Sequence, residues 1–354
     1  MRRAVTTEDP SEFEIKEFPD EPAGRGEVVL RVRACGVCGS DLHAYRDRSG
    51  WSAGRVLGHE IAGEVAQLGD GVTGLSIGDR VALEPRTHCG ECPECRGGKI
   101  ELCQVQGELF GLPVGGRLPG GFSETLTVPA ENLFKVADDL DFAVAALAEP
   151  LAVAIHGHRV AAQLDSGRPT GGERVVVLGA GPIGLMSVFY AARAGATDIA
   201  VTARYDHQAE AARMLGATHV FDSDGDGPEK LRSWAEEHPV DLVMETVGGT
   251  ANTPTLAGQV ARRGGRVLIL GVFDPGIAMP ASLILSRQLR LAGTIFYGYI
   301  GMQHDYEIAT DLLNEHRELL GNLITHRVSL DDVALGVGYA GDKSSGALKV
   351  AIEP

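Results

Sequence analysis

The sequence has few cysteines, no excess of basic residues and no long apolar run, and each shortage excludes a class of protein. Six cysteines in 354 residues are too few for a disulfide-stabilised scaffold. The chain has 32 Lys and Arg against 48 Asp and Glu, and its net charge of −16 repels nucleic acids and anionic lipid surfaces. We therefore expect neither nucleic acid nor a membrane among its main partners.

The lack of long apolar runs bears on localisation. Two arginines near the N-terminus are followed by no apolar stretch, so we expect no signal peptide. One uncharged run covers 175–192, but it contains three glycines and a proline near its start, and a membrane-spanning helix needs about 20 predominantly apolar residues. We interpret this run as a buried strand, turn and helix. The protein is expected to be cytoplasmic, with reduced thiols.

Two sequence patterns follow one another along the chain. The first 150 residues contain short apolar runs separated by turn signals, which is typical of β-rich structure. From Gly172 onward, short apolar runs alternate with helical stretches, which indicates a parallel sheet covered by helices on both faces. The sequence therefore predicts an α/β protein with a β-rich domain (1–150 and 296–354) and a doubly wound domain (151–295).

A glycine motif lies at the start of the doubly wound part. Gly179, Gly181 and Gly184 fit the pattern G-x-G-x-x-G between a predicted strand at 175–178 and a predicted helix at 183–194. The first glycine permits a tight turn, the second lets a pyrophosphate approach the backbone, and the third lets helix and strand pack closely. The phosphates would lie at the helix N-terminus. We predict that this segment, including Pro182 and Ile183, binds a dinucleotide.

The end of the next predicted strand indicates which dinucleotide is bound. NAD-preferring sites usually have Asp or Glu there, which accepts a hydrogen bond from the ribose 2′-OH. This sequence has Ala203, Arg204 and Tyr205 instead. A guanidinium group can bind a 2′-phosphate through two hydrogen bonds, and Tyr205 would cover the adenine. We predict that NADP(H) is preferred over NAD(H); the alternative is that Arg204 is a solvated loop residue.

Four of the six cysteines are clustered. Cys89, Cys92, Cys95 and Cys103 lie within 15 residues of one another. Short C-x-x-C turns bring thiolates together, and four thiolates form the closed tetrahedral site that is typical of structural zinc. The alternative is a set of reduced surface cysteines or a redox pair. We predict a structural Zn²⁺ in a lobe at 89–103, with the neighbouring His88 redundant as a ligand.

A second group of metal-binding residue types precedes the lobe. Cys38, Ser40 and His43 are followed by His59 and Glu60. One thiolate, one imidazole and one carboxylate can form an open zinc site that leaves room for water or a substrate. On residue types alone, the alternative holds more often: a lone Cys and a lone His in a β-rich sequence are usually core residues. Cys35, three residues before Cys38, is expected to be a small buried hydrophobic residue.

These motifs together resemble the zinc-dependent medium-chain alcohol dehydrogenases. The resemblance covers essentially the whole chain and rests, in chain order, on Cys38-Gly-Ser-Asp, Gly58-His-Glu, the four-cysteine lobe, Glu149-Pro-Leu and the glycine motif. Glu at position 149 is typical of the sorbitol and threonine dehydrogenase branch. The resemblance implies a GroES-like catalytic domain (1–150 and 296–354) and a Rossmann cofactor domain (151–295).

The resemblance also implies roles for single residues. Cys38 and His59 would be ligands of a catalytic Zn²⁺, and the third ligand would be Glu60 or Glu149, the other carboxylate acting nearby or through a water molecule. Ser40 would hold the proton of the substrate hydroxyl, and His43 would pass it to solvent. Each chain would then bind two Zn²⁺ ions, and the chains would form a homodimer or a homotetramer.

The predicted function is hydride transfer between NADP(H) and a secondary alcohol or ketone. Gln208 stands where NADPH-using members of the polyol branch often have a second basic residue, and Phe296 stands where polyol dehydrogenases tend to have a substrate-binding arginine. A polar loop at 45–51 favours a polar substrate if it lines the cleft; the alternative is a solvated surface loop. The alternatives are a zinc-independent enoyl-type NADPH reductase of the same fold and a non-enzymatic NADPH-binding sensor.

Overall fold

The computed structural model describes residues 1–7, 13–46, 54–104, 119–164, 172–278 and 280–354. Its contacts divide the chain into two compact units, unit 1 (Met1–Glu149 with Tyr306–Pro354) and unit 2 (Pro150–Asp305). The second boundary lies at Asp305, ten residues or so beyond the position expected from sequence, 296. The difference arises because Asp305 contacts His156 of unit 2, with 2.6 Å between Oδ2 and Nδ1.

The elements of the described residues are numbered in chain order. The strands are β1 Arg2–Thr7, β2 Phe13–Phe18, β3 Glu27–Gly36, β4 Arg55–Val56, β5 Glu60–Leu68, β6 Arg80–Leu83, β7 Thr125–Pro129, β8 Leu133–Lys135, β9 Arg174–Leu178, β10 Asp198–Ala203, β11 His219–Asp222, β12 Val240–Glu245, β13 Ala261–Ile269, β14 Arg290–Gly293, β15 Tyr299–Ile300, β16 Gln303–His304, β17 Ile324–Ser329 and β18 Lys349–Glu353. The α-helices are α1 Gly39–Arg46, α2 Pro93–Arg96, α3 Phe142–Ala145, α4 Ala148–Gln163, α5 Pro182–Arg193, α6 Asp206–Leu215, α7 Gly227–Glu237, α8 Thr253–Val260, α9 Ala281–Arg287, α10 Asp305–Glu315, α11 Arg317–Gly321 and α12 Val333–Gly341.

Unit 2 is built on a six-stranded sheet in the order β11-β10-β9-β12-β13-β14, with every neighbouring pair parallel. Counted from β9, this is the strand order 3-2-1-4-5-6 of the Rossmann fold. The sheet forms because its central strands are apolar on both faces, and all of Val175–Leu178 in β9 are fully buried. The predicted doubly wound α/β architecture is confirmed.

Unit 1 consists mainly of antiparallel sheets. β17, β18, β3, β5, β6 and β8 form one sheet in that order, with β7 also paired to β3, and β2, β1 and β4 form a second, three-stranded sheet. Its core is made of alternating inward residues such as Val28, Leu30 and Val32 of β3. Cys35 is fully buried in this core, as expected.

The uncharged run at 175–192 forms β9, a turn and most of α5. Within the described part of the chain, no helix is both long enough and apolar enough to cross a membrane.

Candidate active site and cofactor site

Strand pairing in unit 1 brings three metal-binding side chains together. Cys38 lies just after β3, and Glu60 begins β5, whose first residue pairs with Gly36 at the end of β3. The ligand atoms of Cys38, His59 and Glu60 all lie within 4.8 Å of one another. A Cβ on Gly36 would lie 1.9 Å from Glu60 Oε2, so a side chain at position 36 would displace the Glu60 carboxylate. The predicted group is therefore a real cluster, which we call the Cys-His-Glu cluster.

Asp41 organises this cluster. Its buried carboxylate accepts a hydrogen bond from the backbone N–H of Cys38 at 2.9 Å, and its Oδ1 lies 3.9 Å from His59 Nδ1. The first contact is half of a capping box, in which the side chain of the third helical residue accepts a hydrogen bond from the backbone N–H of the residue that precedes the helix. The sequence predicts no role for Asp41, although its spacing from Cys38 at the start of a helix is a detectable capping signal.

The charges around His59 are those of a cation site. Burial alone lowers the pKa of His59, but Cys38, Asp41 and Glu149 outweigh burial and raise that pKa to about 10. The cluster thus carries an excess of negative charge that favours a bound cation. Thiol, imidazole and carboxyl groups are also the donors that zinc takes in catalytic sites, so the residues present fit the metal that the sequence predicts.

Lys349 of β18 is a second residue that the sequence gives no reason to include. Its buried ammonium group donates a hydrogen bond to the Glu60 carboxylate and another to the carbonyl oxygen of Val37 at 3.1 Å. Lys349 follows Glu60 by 289 residues, so no local pattern relates them. Its charge offsets part of the negative charge that the Cys-His-Glu cluster carries.

Glu149, the other predicted carboxylate ligand, is the second residue of α4 and is 8% exposed. It is not one of the three residues whose ligand atoms converge in the described structure. Its carboxylate is close enough to help raise the pKa of His59 and, after burial, the pKa of Tyr306. Among the described residues, the geometry therefore favours Glu60 as the third ligand, and a ligand role for Glu149 stays a prediction.

The two predicted proton-transfer residues lie on α1. The Ser40 hydroxyl is buried and makes no hydrogen bond to the residues that the structure describes, so it is available to a ligand. His43 is exposed, three residues further along the helix. Residues 47–51 of the predicted polar loop lie outside the described residues.

The four-cysteine lobe has the geometry of a closed metal site. The four sulfur atoms lie within 4.8 Å of one another, with Cys89 Sγ 3.9 Å from Cys95 Sγ and 3.6 Å from Cys103 Sγ. The backbone N–H of Cys92 donates to Cys89 Sγ, and that of Cys95 donates to Cys92 Sγ. Burial and, after it, hydrogen bonds with the neighbouring cysteine side chains raise the pKa of Cys95. A cation among the four sulfurs would favour the thiolate form instead.

We expect Cys103→Ser to remove the lobe metal and to destabilise the protein. Structural zinc contributes directly to folding, so the zinc content should fall by about one ion per chain and the melting temperature by several degrees. Metal analysis and thermal unfolding measure both. The control is His88→Ala, which removes the adjacent imidazole outside the four-sulfur cluster and should leave the zinc content unchanged; equal losses in the two variants would contradict the assignment.

The glycine turn joins β9 to α5 as the motif requires. Gly179 has φ 103°, and a Cβ on Gly184 would lie 2.0 Å from the carbonyl oxygen of Gly179. Around Gly181, which precedes Pro182 at the N-terminus of α5, a Cβ would meet no described atom within 4 Å. The turn thus packs closely where Gly184 meets Gly179, and it leaves open space at the N-terminus of α5, where a phosphate group fits.

The residues after β10 form the other end of the predicted cofactor site. Ala203 ends β10 and is buried, whereas Arg204 is exposed with its Cζ 5.8 Å from the Tyr205 ring centroid. His207 stacks on Tyr205 with 5.5 Å between ring centroids. The Gln208 side chain accepts a hydrogen bond from the Arg204 N–H at 3.3 Å, so it caps the turn before α6 rather than facing outward. Arg204 is the cationic residue of this turn.

Comparisons with known proteins agree with this geometry. Residues 24–138 match the alcohol dehydrogenase GroES-like domain, and residues 182–315 match the zinc-binding dehydrogenase family. The chain is 31% identical to a sorbitol dehydrogenase of Bacillus subtilis (strain 168), over 99% of this chain and 97% of the relative. It is 32% identical to an L-threonine 3-dehydrogenase of Photorhabdus laumondii, over 93% of each protein.

A solved structure extends the likeness to three dimensions. A Sinorhizobium meliloti 1021 protein, named as a zinc-binding dehydrogenase and bound to NADP, superposes with a TM-score of 0.86. The two are 30% identical, and the match covers 100% of this chain and 99% of the other. The four-cysteine lobe is thus a structural zinc site and the Cys-His-Glu cluster a catalytic one, in an enzyme that uses a nicotinamide cofactor and acts on CH–OH groups. The chain belongs to the zinc-containing medium-chain alcohol dehydrogenase family.

Proposed function

We propose that the protein is a zinc-dependent, NADP(H)-preferring dehydrogenase that interconverts a polar secondary alcohol and its ketone. The observation that carries this proposal is the convergence of the ligand atoms of Cys38, His59 and Glu60 within 4.8 Å. Ser40, two residues after Cys38, has a buried hydroxyl without a hydrogen-bond partner among the described residues. Three protein ligands leave a fourth position open, which is the arrangement of catalytic rather than structural zinc.

Each residue of the site then has one task. Zinc held by Cys38, His59 and Glu60 would supply Lewis acidity at the substrate oxygen, and the nicotinamide would supply or accept the hydride. The Ser40 hydroxyl accepts the proton that the substrate alcohol loses. His43, exposed on the same helix, exchanges that proton with solvent. Asp41 accepts a hydrogen bond from the backbone N–H of Cys38, so it positions that ligand, and its Oδ1 lies 3.9 Å from His59 Nδ1.

Removal of the Ser40 hydroxyl should slow turnover without removing metal. We expect Ser40→Ala to lower kcat by about 10²-fold, since positioned proton transfer contributes on that order. Ser40→Thr, which keeps a hydroxyl group, should retain much more activity. Steady-state kinetics and metal analysis of both variants test this, and unchanged kcat in Ser40→Ala, with zinc retained, would exclude the proposed proton path.

The preference for NADP(H) is supported by charge at the end of β10. Ala203 is small and buried, no carboxylate stands in the turn at 203–205, and the exposed guanidinium group of Arg204 is free to meet a 2′-phosphate. The structural relative from Sinorhizobium meliloti is bound to NADP. Gln208 does not add a charge, so the preference depends on Arg204.

A polar substrate is supported by the names of the relatives. The curated relatives named above are a sorbitol and a threonine dehydrogenase, both named for substrates with several polar groups. Phe296 stands in place of the arginine of the polyol branch, so we expect a polar alcohol that is not sorbitol-like.

We also propose that the chain forms a homodimer or a homotetramer. β14 is the last strand of the parallel sheet, and an unpaired edge strand is a template for pairing with a second chain. Ile295, two residues after β14, is 52% exposed, which adds apolar surface beside this edge. Sedimentation analysis of the purified protein tests the proposal, and a monomer at all concentrations would contradict it.

The deciding experiment is metal analysis combined with a panel of alcohols, ketones and enones, each assayed with both cofactors. We expect two zinc ions per chain and NADPH-dependent reduction of ketones. Reduction of C=C bonds with only the lobe zinc bound would favour the enoyl-type reductase, and cofactor binding without turnover of any substrate would favour the sensor.

A further inference from the structure

A buried carboxyl group lies beside the glycine turn, at the centre of the parallel sheet. Glu245 is the last residue of β12, where it pairs with Leu178 of β9 and Ile269 of β13. Its side chain is fully buried. Glutamate is almost never fully buried unless its oxygens are engaged, so the contacts of this side chain indicate what it does.

One oxygen of Glu245 closes the turn that leaves β12. Its Oε1 accepts hydrogen bonds from the backbone N–H of Val247 at 2.8 Å, the N–H of Gly248 at 3.2 Å and the hydroxyl of Thr253 at 2.8 Å. Thr253 is the first residue of α8. A single carboxyl group thus fixes both the loop after β12 and the start of the following helix.

The loop after β12 is joined in turn to the loop after β13. The N–H of Gly249 donates to the carbonyl oxygen of Val272 at 2.7 Å. Gly248 has φ 69°, and a Cβ there would lie 2.4 Å from the same oxygen, so only glycine fits. We call residues 246–249 and 270–274 together the switch-point loops, because the first follows β12 at the reversal of strand order and the second is hydrogen-bonded to it.

The switch-point loops pack directly on the glycine turn. The Thr246 hydroxyl donates to the carbonyl oxygen of Leu178 at 2.8 Å. A Cβ on Gly179 would lie 2.8 Å from Val247 Cγ2, and one on Gly184 would lie 2.9 Å from the Thr246 hydroxyl oxygen. A small displacement of Thr246 or Val247 would therefore push against the backbone on which the pyrophosphate is expected to lie.

We propose that Glu245 is a positioning residue for the dinucleotide cofactor. Dinucleotides bind across the carboxyl ends of the strands at the reversal of strand order, which is where the switch-point loops and the glycine turn meet. Glu245 does not touch the cofactor, because it is fully buried beneath these loops. Its hydrogen bonds instead fix the position of the loops that the cofactor contacts. The proposal rests on nicotinamide cofactor binding, and it applies equally to NADH and NADPH.

The second oxygen of Glu245 makes a sharp variant possible. Oε2 has no hydrogen-bond partner among the described residues, and a Cβ on Gly271 would lie 2.3 Å from it. Glu245→Gln keeps the shape of the side chain, but its amide either places an unpaired NH₂ at this crowded position or gives up the three bonds at Oε1. The variant thus perturbs hydrogen bonding beneath the loops and nothing at the surface.

We expect Glu245→Gln to weaken binding of both cofactors alike. The dissociation constants for NADH and NADPH, measured by fluorescence of the reduced nicotinamide, should each rise about tenfold, because only part of the hydrogen-bond energy lost beneath the loops is felt by the cofactor. Their ratio should not change. At saturating cofactor, kcat should stay within about twofold, because the reacting groups are untouched, while the KM for cofactor rises.

A matched control separates positioning from general stability. Glu173→Gln alters another buried carboxyl group of unit 2, which pairs with Arg266, and it should lower the melting temperature without raising either dissociation constant. Thr253→Val should raise both dissociation constants by a smaller factor, whereas Thr253→Ser, which keeps the hydroxyl group, should have the wild-type constants. These two variants test the proposal even where Glu245→Gln fails to fold.

The proposal is overturned by unchanged cofactor affinity in Glu245→Gln or Thr253→Val, or by an equal loss in Glu173→Gln. A loss confined to NADPH would also overturn it. The NADP(H) preference is tested separately, by the ratio of the NADH and NADPH dissociation constants of the wild-type protein. The Glu245 variant is expected to leave that ratio unchanged.

Discussion

Cys38→Ala is expected to lower kcat/KM by about 10³-fold or more and to release one of the two zinc ions. Cys38 is one of three ligand residues within 4.8 Å, so the remaining imidazole and carboxylate would hold a divalent ion poorly. The Lewis acidity of the ion lowers the reaction barrier by several kcal/mol, and its loss raises the barrier by the same amount. Each 1.4 kcal/mol or so corresponds to a factor of ten in rate. Metal analysis and steady-state kinetics on the same preparation measure both effects.

Cys35→Ala provides the matched control. Cys35 lies three residues earlier in the same strand region, but its sulfur is fully buried in the core and it is not a member of the Cys-His-Glu cluster. We expect that variant to lose stability through a small cavity and to keep both zinc ions and most of its activity. If Cys38→Ala retained full reductase activity with the lobe zinc alone, the zinc-independent enoyl-type reductase would become the better assignment.

The difference between Cys38 and Lys349 shows which parts of the site can be predicted from sequence. The lobe cysteines and the glycine turn are each confined to a few neighbouring residues, so their spacing alone indicates their geometry. His59 and Glu60 meet Cys38 only through the pairing of β3 with β5, and a family resemblance was needed to relate them. Lys349 reaches Glu60 through the antiparallel neighbours β18 and β3, and no sequence pattern indicates that contact.

The fold shows the same limit at two points. The alternation of apolar runs and helices predicts the parallel sheet, because strands buried on both faces must be apolar throughout. The boundary near Asp305 is set by its contact with His156, a pair 149 residues apart that no periodicity reveals. Glu245 is similar: in the sequence it is one polar residue after an apolar strand, and its importance becomes visible only from the three donors around it.

Arg204→Ala is expected to reverse the cofactor preference. A guanidinium–phosphate contact is a bidentate, charge-assisted pair of hydrogen bonds, and its removal corresponds to a roughly 10- to 100-fold loss of affinity. We expect kcat/KM with NADPH to fall by that factor and kcat/KM with NADH to change by less than about twofold. Arg204→Lys should give an intermediate value, because it keeps the charge but not the fork of donors.

The control for this prediction is an arginine on α6, the helix that follows the turn of Arg204. Arg213 is exposed near the C-terminus of α6, so Arg213→Ala changes the net charge by the same amount at a distance from the turn. A similar loss of NADPH activity in both variants would mean that overall charge, and not a local contact, sets the preference. An unchanged NADPH-to-NADH ratio in Arg204→Ala would contradict the assignment of Arg204 outright.

Salt dependence distinguishes the local contact in a second way. A chain with net charge −16 repels NADPH more strongly than NADH, so any preference for NADPH must come from local attraction of the 2′-phosphate at the turn after β10. Because salt screens exposed charges, higher ionic strength should weaken NADPH binding to the wild-type protein more than NADH binding. In Arg204→Ala the attractive contact is gone while the repulsion remains, and the same salt should weaken NADPH binding less or even strengthen it.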